Sequence, residues 1–260
     1  MVRICTGSRQ NVERRAIASV VGAILDLLLP RTCAACGRAL DAGEPGIVCG
    51  LCWTRLPILP SPRCERCGHP SSDDACRWCD LLPPYVRAAR SVCWAVSGSG
   101  RDIVHALKYG AWSAVASGMA ARMARLAWPL DVLEERAAII PVPLAAARER
   151  ERGYNQSERL ATALATFWHV PVWNHVLARS RETTTQTRLT PEDRLRNVRG
   201  AFRPAPEARD LLRGAHVVLV DDVVTTAATL NECASALHAG GARILSYVTF
   251  GRAPALGDRR

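Results

Sequence analysis

Lysine is nearly missing from this chain: of 34 basic side chains in 260 residues, 33 are arginine and Lys108 stands alone. Aromatic residues are scarce too, at 5% of the sequence, so a core has to be built mainly from Ala, Val, Leu and Ile. No apolar run is long enough to span a bilayer. The best candidate, AIASVVGAILDLLLP at 16–30, is too short, is broken by Asp26 and lacks a small-residue cleavage site; it reads as an amphipathic docking helix. Nucleotide signatures are absent as well. A phosphate-binding G-x-x-x-x-G-K-[ST] loop needs a lysine followed by Ser or Thr, and Lys108 is followed by Tyr109 in ALKYG. Gly98 and Gly100 lack the third glycine of a dinucleotide fingerprint, with Ile103 in its place, and no G-x-S-x-G elbow occurs. P-loop ATPase, dinucleotide-dependent dehydrogenase and serine hydrolase are thereby excluded.

What is abundant is positive charge and cysteine. The formal charge is +10, unevenly spread: residues 1–84 carry 10 basic and 8 acidic side chains, residues 85–260 carry 24 and 16. Such a surface suits nucleic acid, phosphorylated small molecules or acidic membranes. Eight of the 11 cysteines fall into four CxxC pairs, Cys33/Cys36, Cys49/Cys52, Cys64/Cys67 and Cys76/Cys79. A two-residue spacer turns both thiolates toward one tetrahedral ion, and two such knuckles complete a closed, structural four-sulfur zinc site. Two sites are expected. Sequential pairing is the simplest, and interleaved pairing stays open. A disulfide scaffold needs an oxidising compartment, so the zinc reading goes with a cytoplasmic protein without a transmembrane segment. Trp53 and Trp78 are expected to pack the small core of this module rather than stack on bases, and Cys5, Cys93 and Cys233 to act as apolar fillers.

The expected layout is an amphipathic helix over 1–30, a double zinc ribbon over 31–84, and an α/β domain over 85–260. In the last, strands near 90–97, 137–144, 172–178 and 243–250 alternate with helices near 101–108 and 114–127. Another helix is capped by Asn155 and Glu158, its apolar face formed by Leu160, Leu164 and Phe167. That alternation predicts a Rossmann-like, mostly parallel sheet with ligands beyond the carboxyl ends of its strands. AAARERERG at 145–153 reads as a charged loop. Residues 180–202, polar and rich in Thr and Arg, read as a lid, with a short helix starting near Thr190, Pro191 and Asp193.

The stretch HVVLVDDVVTTAATL at 216–230 carries the chemistry. Its aliphatic run suits a strand covered on both faces, and it ends in Asp221 and Asp222, which are costly to bury unpaired. Thr225, Thr226 and Thr229 then open a helix whose free amides and dipole attract phosphate. A ligand with hydroxyls and a phosphate is implied.

Strand, two acids, V-x-T-T-G-x-T and helix together resemble the type I phosphoribosyltransferase pattern. The zinc module followed by LKYG, IIPVPL, RGYNQ, the T-x-x-Q-T-R-L…R-x-x-N…AF lid and VDDVVTTAATL closely resembles the ComF family, over residues 20–250. The resemblance implies phosphoribosyl pyrophosphate, with Mg2+, along Asp221, Asp222, Val223, Thr225, Thr226, Ala227, Ala228 and Thr229. The acids would face the ribose and the threonine loop the 5′-phosphate. The loop after Pro143, with Arg152 and Lys108, would meet the pyrophosphate. Asp221, Asp222, Lys108 and Arg152 are the catalytic candidates. One departure stands out: Ala227 replaces the pattern's glycine, and alanine resists a positive φ.

Two functions follow from the resemblance. One is transfer of a phosphoribosyl group to an unknown acceptor, linked to DNA uptake in natural transformation. The other is a non-catalytic single-stranded DNA-binding accessory to other uptake proteins, with Arg188, Arg194, Arg196 and Arg199 on the strand. A metabolite sensor whose lid closes without chemistry is a weaker third.

Overall fold

The computed structural model describes residues 30–41, 43–71, 76, 78–109, 113–181 and 196–254. The expected N-terminal helix up to residue 29, Cys5, the helix start at Thr190–Asp193, Arg188 and Arg194 lie outside the described residues. In chain order the elements are α1 (Gly50–Thr54), β1 (Val86–Trp94), α2 (Gly98–Tyr109), α3 (Val115–Met123), α4 (Leu130–Glu135), β2 (Arg136–Pro141), α5 (Ala146–Arg152), α6 (Gln156–Trp168), β3 (Leu177–Arg179), β4 (Phe202–Pro204), α7 (Arg209–Leu212), β5 (His216–Val224), α8 (Ala228–Ala239) and β6 (Ile244–Arg252).

The four longer strands form one parallel sheet, ordered β1-β6-β5-β2. A sheet covered on both faces needs apolar residues at every position, and β5 supplies them from Val217 to Val220, all buried. Val218 and Val220 point to one face and pack with Ile139, Val248, Phe250, Met119, Leu160 and Leu164. Val217 and Leu219 point to the other and pack with Leu245, Tyr247, Leu230, Cys233 and Leu237. Each such side chain contributes about 1.5–3 kcal/mol on full burial. The expected filler role of Cys93 and Cys233 agrees with their complete burial.

The cysteine-rich segment packs on this sheet. Gly118 is without a side chain where Trp53 lies against α3: a Cβ there would sit 2.5 Å from the indole. Trp53 also meets Phe250 edge-on and lies 3.6 Å beneath the Arg122 guanidinium, a packing role. Gly68, at φ +65°, lets its turn approach the Ala89 carbonyl, which a Cβ would meet at 2.5 Å. Residues 57–59 run along β1, with Leu59 N–H donating to Val92 O and Trp94 N–H to Pro57 O.

Several sequence expectations need correction. Residues 145–153 are not a loop: Ala146–Arg152 form α5, closed by Gly153 in the left-handed conformation at φ 82°. The alternating Arg and Glu that look like a solvated loop are good helix formers. Phe167 is exposed, and Trp168 takes its place in the core. Asn155 caps α6 by accepting from Ser157 N–H, while Glu158 turns away to Asn174 Nδ2. The strand expected near 172–178 splits. Val172 makes one bridge to Ile139, and Leu177–Arg179 pairs antiparallel with β4 in a separate two-stranded ribbon.

Candidate functional site

The carboxyl end of β5 hands over to α8 through Thr225, Thr226 and Ala227. Ala227 holds φ 59°, ψ 4°, the left-handed region that glycine tolerates and alanine resists. The pattern's backbone is therefore kept although its glycine is not. Ala227 gives α8 no side-chain cap, so the helix opens with its amide end uncovered by a capping group. Beside it, Thr226 Oγ1 is buried without a hydrogen-bond partner, a hydroxyl waiting for an acceptor. An uncapped N-terminus and an unpartnered hydroxyl together suit a phosphate.

Asp222 is 3% exposed, and its burial is compensated by the only lysine: Lys108 Nζ lies 2.7 Å from Asp222 Oδ2. Its other oxygen accepts from Val223 N–H at 2.9 Å. Burial works against the Lys108 ammonium, but the Asp222 carboxylate, with Asp221 behind it, holds its pKa above the ordinary lysine value. Asp221 points toward α6, where its Oδ1 accepts from Ser157 Oγ at 2.9 Å and from Asp222 N–H at 2.8 Å. Burial and the neighbouring Asp222 charge push Asp221 up to about 7, against the pull of Ser157, the Asp222 amide and Lys108. The two acids are held, and they are not sealed off. A cavity of about 460 Å³ opens over them, lined by the whole Asp221–Leu230 stretch.

Apart from the two aspartates, the charged part of the lining is cationic. Arg101, Lys108, Arg148, Arg152 and Arg179 face the cavity against the two aspartates. Arg148 and Arg152 are four residues apart on α5, hence on one face. Arg152 donates to Gln156 Oε1 and lies 5.2 Å over the Tyr109 ring. Neither Arg148 nor Arg152 forms a salt bridge among the described residues.

The eight CxxC cysteines gather sequentially: Cys33, Cys36, Cys49 and Cys52 in one group, Cys64, Cys67, Cys76 and Cys79 in the other, sulfurs within 4.8 Å of one another. Sulfur pairs lie 3.9 Å apart in the first and 3.4 Å in the second. Tetrahedral zinc with bonds of about 2.3 Å sets sulfurs about 3.8 Å apart, so both groups fit the ion. The second group reaches the sheet end directly, through Arg252 Nη2 donating to Cys67 O at 2.6 Å.

Comparison with known proteins agrees with this architecture. The family model described as "Double zinc ribbon domain" matches residues 24–82, and "Phosphoribosyl transferase domain" matches 119–259. DNA utilization protein YhgH of Shigella flexneri is 33% identical over 227 residues, 83% of this chain and 94% of that protein. Competence protein F of Haemophilus influenzae is 41% identical over 101 residues, 39% of this chain and 44% of that one. The chain belongs to the ComF family. Competence protein ComFC of Bacillus subtilis is a more distant relative, 24% identical over 197 residues, 73% of this chain and 77% of that protein.

In this ComF protein Asp221, Asp222, Val223, Thr225, Thr226, Ala227, Ala228, Thr229, Lys108 and Arg152 all border the one cavity. Of the lid arginines, the described Arg196 and Arg199 do not join them, being exposed and away from its lining. Sequence reading missed Ser157, Arg101, Arg148 and Arg179. Ser157 sits one residue past the expected helix start, and a serine there is an ordinary first-turn residue until β5 is known to lie opposite. No helix of the described residues is long and apolar enough to cross a membrane.

Proposed function

We propose that this protein binds phosphoribosyl pyrophosphate and transfers its phosphoribosyl group to a nucleophilic acceptor. The 5′-phosphate takes the amide end of α8 and the Thr225–Thr229 hydroxyls. The ribose hydroxyls face Asp221 and Asp222, and the diphosphate meets Arg148, Arg152 and Lys108. The observation that carries this reading is the left-handed Ala227 beside the unpartnered Thr226 hydroxyl, opening onto a cation-lined cavity with a held carboxylate pair. In the reaction the bond from C1 to the diphosphate oxygen breaks, and the electron pair leaves with the diphosphate. The acceptor atom bonds to C1 and gives its proton to solvent. Preorganised carboxylates favour the oxocarbenium-like charge that develops, and the arginines favour the departing anion. The Mg2+ that the family resemblance pairs with this ligand finds little to hold it at Asp222, whose Oδ2 pairs with Lys108 and whose Oδ1 accepts from the Val223 amide. Asp221 Oδ2 is the oxygen of the pair left with neither a hydrogen bond nor an ion pair among the described residues.

Calorimetric titration with phosphoribosyl pyrophosphate tests binding, and coupled detection of pyrophosphate in the presence of nucleobases tests transfer. Loss of heat on Asp221→Asn/Asp222→Asn is expected; wild-type protein that takes up no ligand sinks the reading. The names of the relatives, competence and DNA utilization proteins, support a role in DNA uptake. The positive excess around 148–203, 11 basic against 6 acidic residues, keeps single-stranded DNA binding as the second reading. Replacing Arg196 and Arg199 should then flatten the salt dependence of that binding. Two four-thiolate groups require a reducing compartment, which supports a cytoplasmic location.

A further inference from the structure

We propose that Lys108 takes the place of a divalent cation at the diphosphate end of the cavity, so that phosphoribosyl pyrophosphate binds without added magnesium. The proposal rests on the ligand reading given above.

Magnesium in a phosphate site is held at about 2.0–2.1 Å, in near-octahedral order, by one or two protein carboxylates together with ligand phosphates and waters. Asp222 has none to give. Its Oδ2 is held by the Lys108 ammonium at 2.7 Å and its Oδ1 by the Val223 amide at 2.9 Å. Asp221 spends Oδ1 on Ser157 and on the Asp222 amide. Of the four carboxylate oxygens, only Asp221 Oδ2 is then left to offer a divalent ion, the least that such a site draws from a protein.

The charge that such an ion would bring is already present. Five cationic side chains, from Arg101, Lys108, Arg148, Arg152 and Arg179, line the cavity against two carboxylates. Arginine forks suit the phosphate oxygens, which they engage in pairs. A metal ion does something different: it is a compact point charge that bridges a carboxylate and a ligand oxygen. The ammonium is the side chain that most resembles it, with three donors on a small head. This chain uses arginine at every other basic position and lysine only here. One N–H of Lys108 goes to Asp222, and two remain for ligand oxygens. The backbone agrees: Lys108 is in the last turn of α2, and that helix end borders the same cavity as the Asp221–Asp222 pair.

The test uses the full-length, zinc-loaded protein in buffer stripped of divalent ions by resin, since a soluble chelator would attack the ribbons. Phosphoribosyl pyrophosphate is titrated calorimetrically with and without magnesium. Wild-type affinity is expected to change by no more than about threefold. Lys108→Met should lose about tenfold or more in stripped buffer and recover when magnesium is added, because Asp222 is then open to the ion. If the buried, unpaired Asp222 unfolds that variant, Lys108→Met/Asp222→Asn removes both charges together and should bind weakly in either buffer. Wild-type binding that appears only with magnesium overturns the proposal and leaves the ligand reading standing. Equal magnesium dependence in wild type and Lys108→Met also overturns it. Absence of binding by wild type in both buffers removes the ligand reading, and the proposal with it.

Discussion

Ser157 Oγ donates to Asp221 Oδ1 at 2.9 Å, tying the first turn of α6 to the carboxyl end of β5. This bond sets the direction of the carboxylate and opposes the burial that drives its pKa up. Ser157→Ala should leave the fold intact at a cost of about 1–2 kcal/mol, since the partner is a carboxyl group in a buried setting. Affinity for phosphoribosyl pyrophosphate should fall about tenfold as the acid loses its orientation. Thermal denaturation and calorimetry read the two effects separately; a variant with unaltered affinity denies Ser157 a positioning role.

Asp221 gives the apo protein an unusual pH response. Its folded-state pKa is raised from 3.8 to about 7, so between those values the native state holds a proton that the unfolded chain has released. Stability is therefore lost as pH rises through this window, the reverse of an ordinary ion-paired aspartate. Burial and the Asp222 charge raise that pKa, against the pull of Ser157, the Asp222 amide and Lys108. His216, buried with its pKa lowered, acts in the opposite sense, losing stability as pH falls below its unfolded value. The difference between wild type and Asp221→Asn isolates the carboxyl group. Urea denaturation midpoints of the two proteins should diverge from pH 5 to pH 8, with the variant gaining on wild type.

Ala227 is strained where the family pattern has glycine. Restoring it with Ala227→Gly relieves a left-handed alanine, which costs roughly 1 kcal/mol or more. Part of this is returned as unfolded-chain entropy. The expected net effect is a gain of a few tenths to about 1 kcal/mol in stability and tighter phosphate binding. A lower melting temperature would show that the methyl contributes packing that outweighs the strain.

Zinc is expected to hold more than its own ribbons. Cys67 O receives Arg252 at the end of β6, Asn231 Nδ2 on α8 donates to Leu81 O, and Arg66 donates to the carbonyls of Cys79, Leu82, Pro83 and Val86. Chelation should lower the melting temperature of the whole chain in a single transition, because metal binding is folding free energy for such modules. Two separate transitions, with the upper one unmoved, would show that the sheet stands without the ribbons.

How far the sequence foretold all this depends on whether a pattern is local. The aliphatic run into Asp221 and Asp222, the threonine loop and the CxxC spacing are each contained in a dozen residues or fewer; the first two meet at one cavity and the cysteines gather in two groups. The parallel sheet followed from β5, whose unbroken apolar stretch leaves no polar face. The register of partners across the fold was not legible. Nothing near Lys108 announces that its ammonium reaches Asp222, more than a hundred residues away, and Ser157 offers no sign that it faces Asp221. α5 was misread because alternating charge fits a loop and a surface helix equally. Phe167 was misplaced because a one-residue difference at the end of a helix swaps the buried and exposed sides.

The segment at 57–59 has a bearing on edge-to-edge association between copies of this chain. β1 is the outermost strand on its side, and such a border offers unpaired amides and carbonyls to any passing copy. By laying Pro57, Ile58 and Leu59 against Val92, Cys93 and Trp94, the cysteine-rich module seals that border from within the same polypeptide. A chain trimmed to the α/β domain would thus carry a sticky margin, and aggregation would be its first expected symptom.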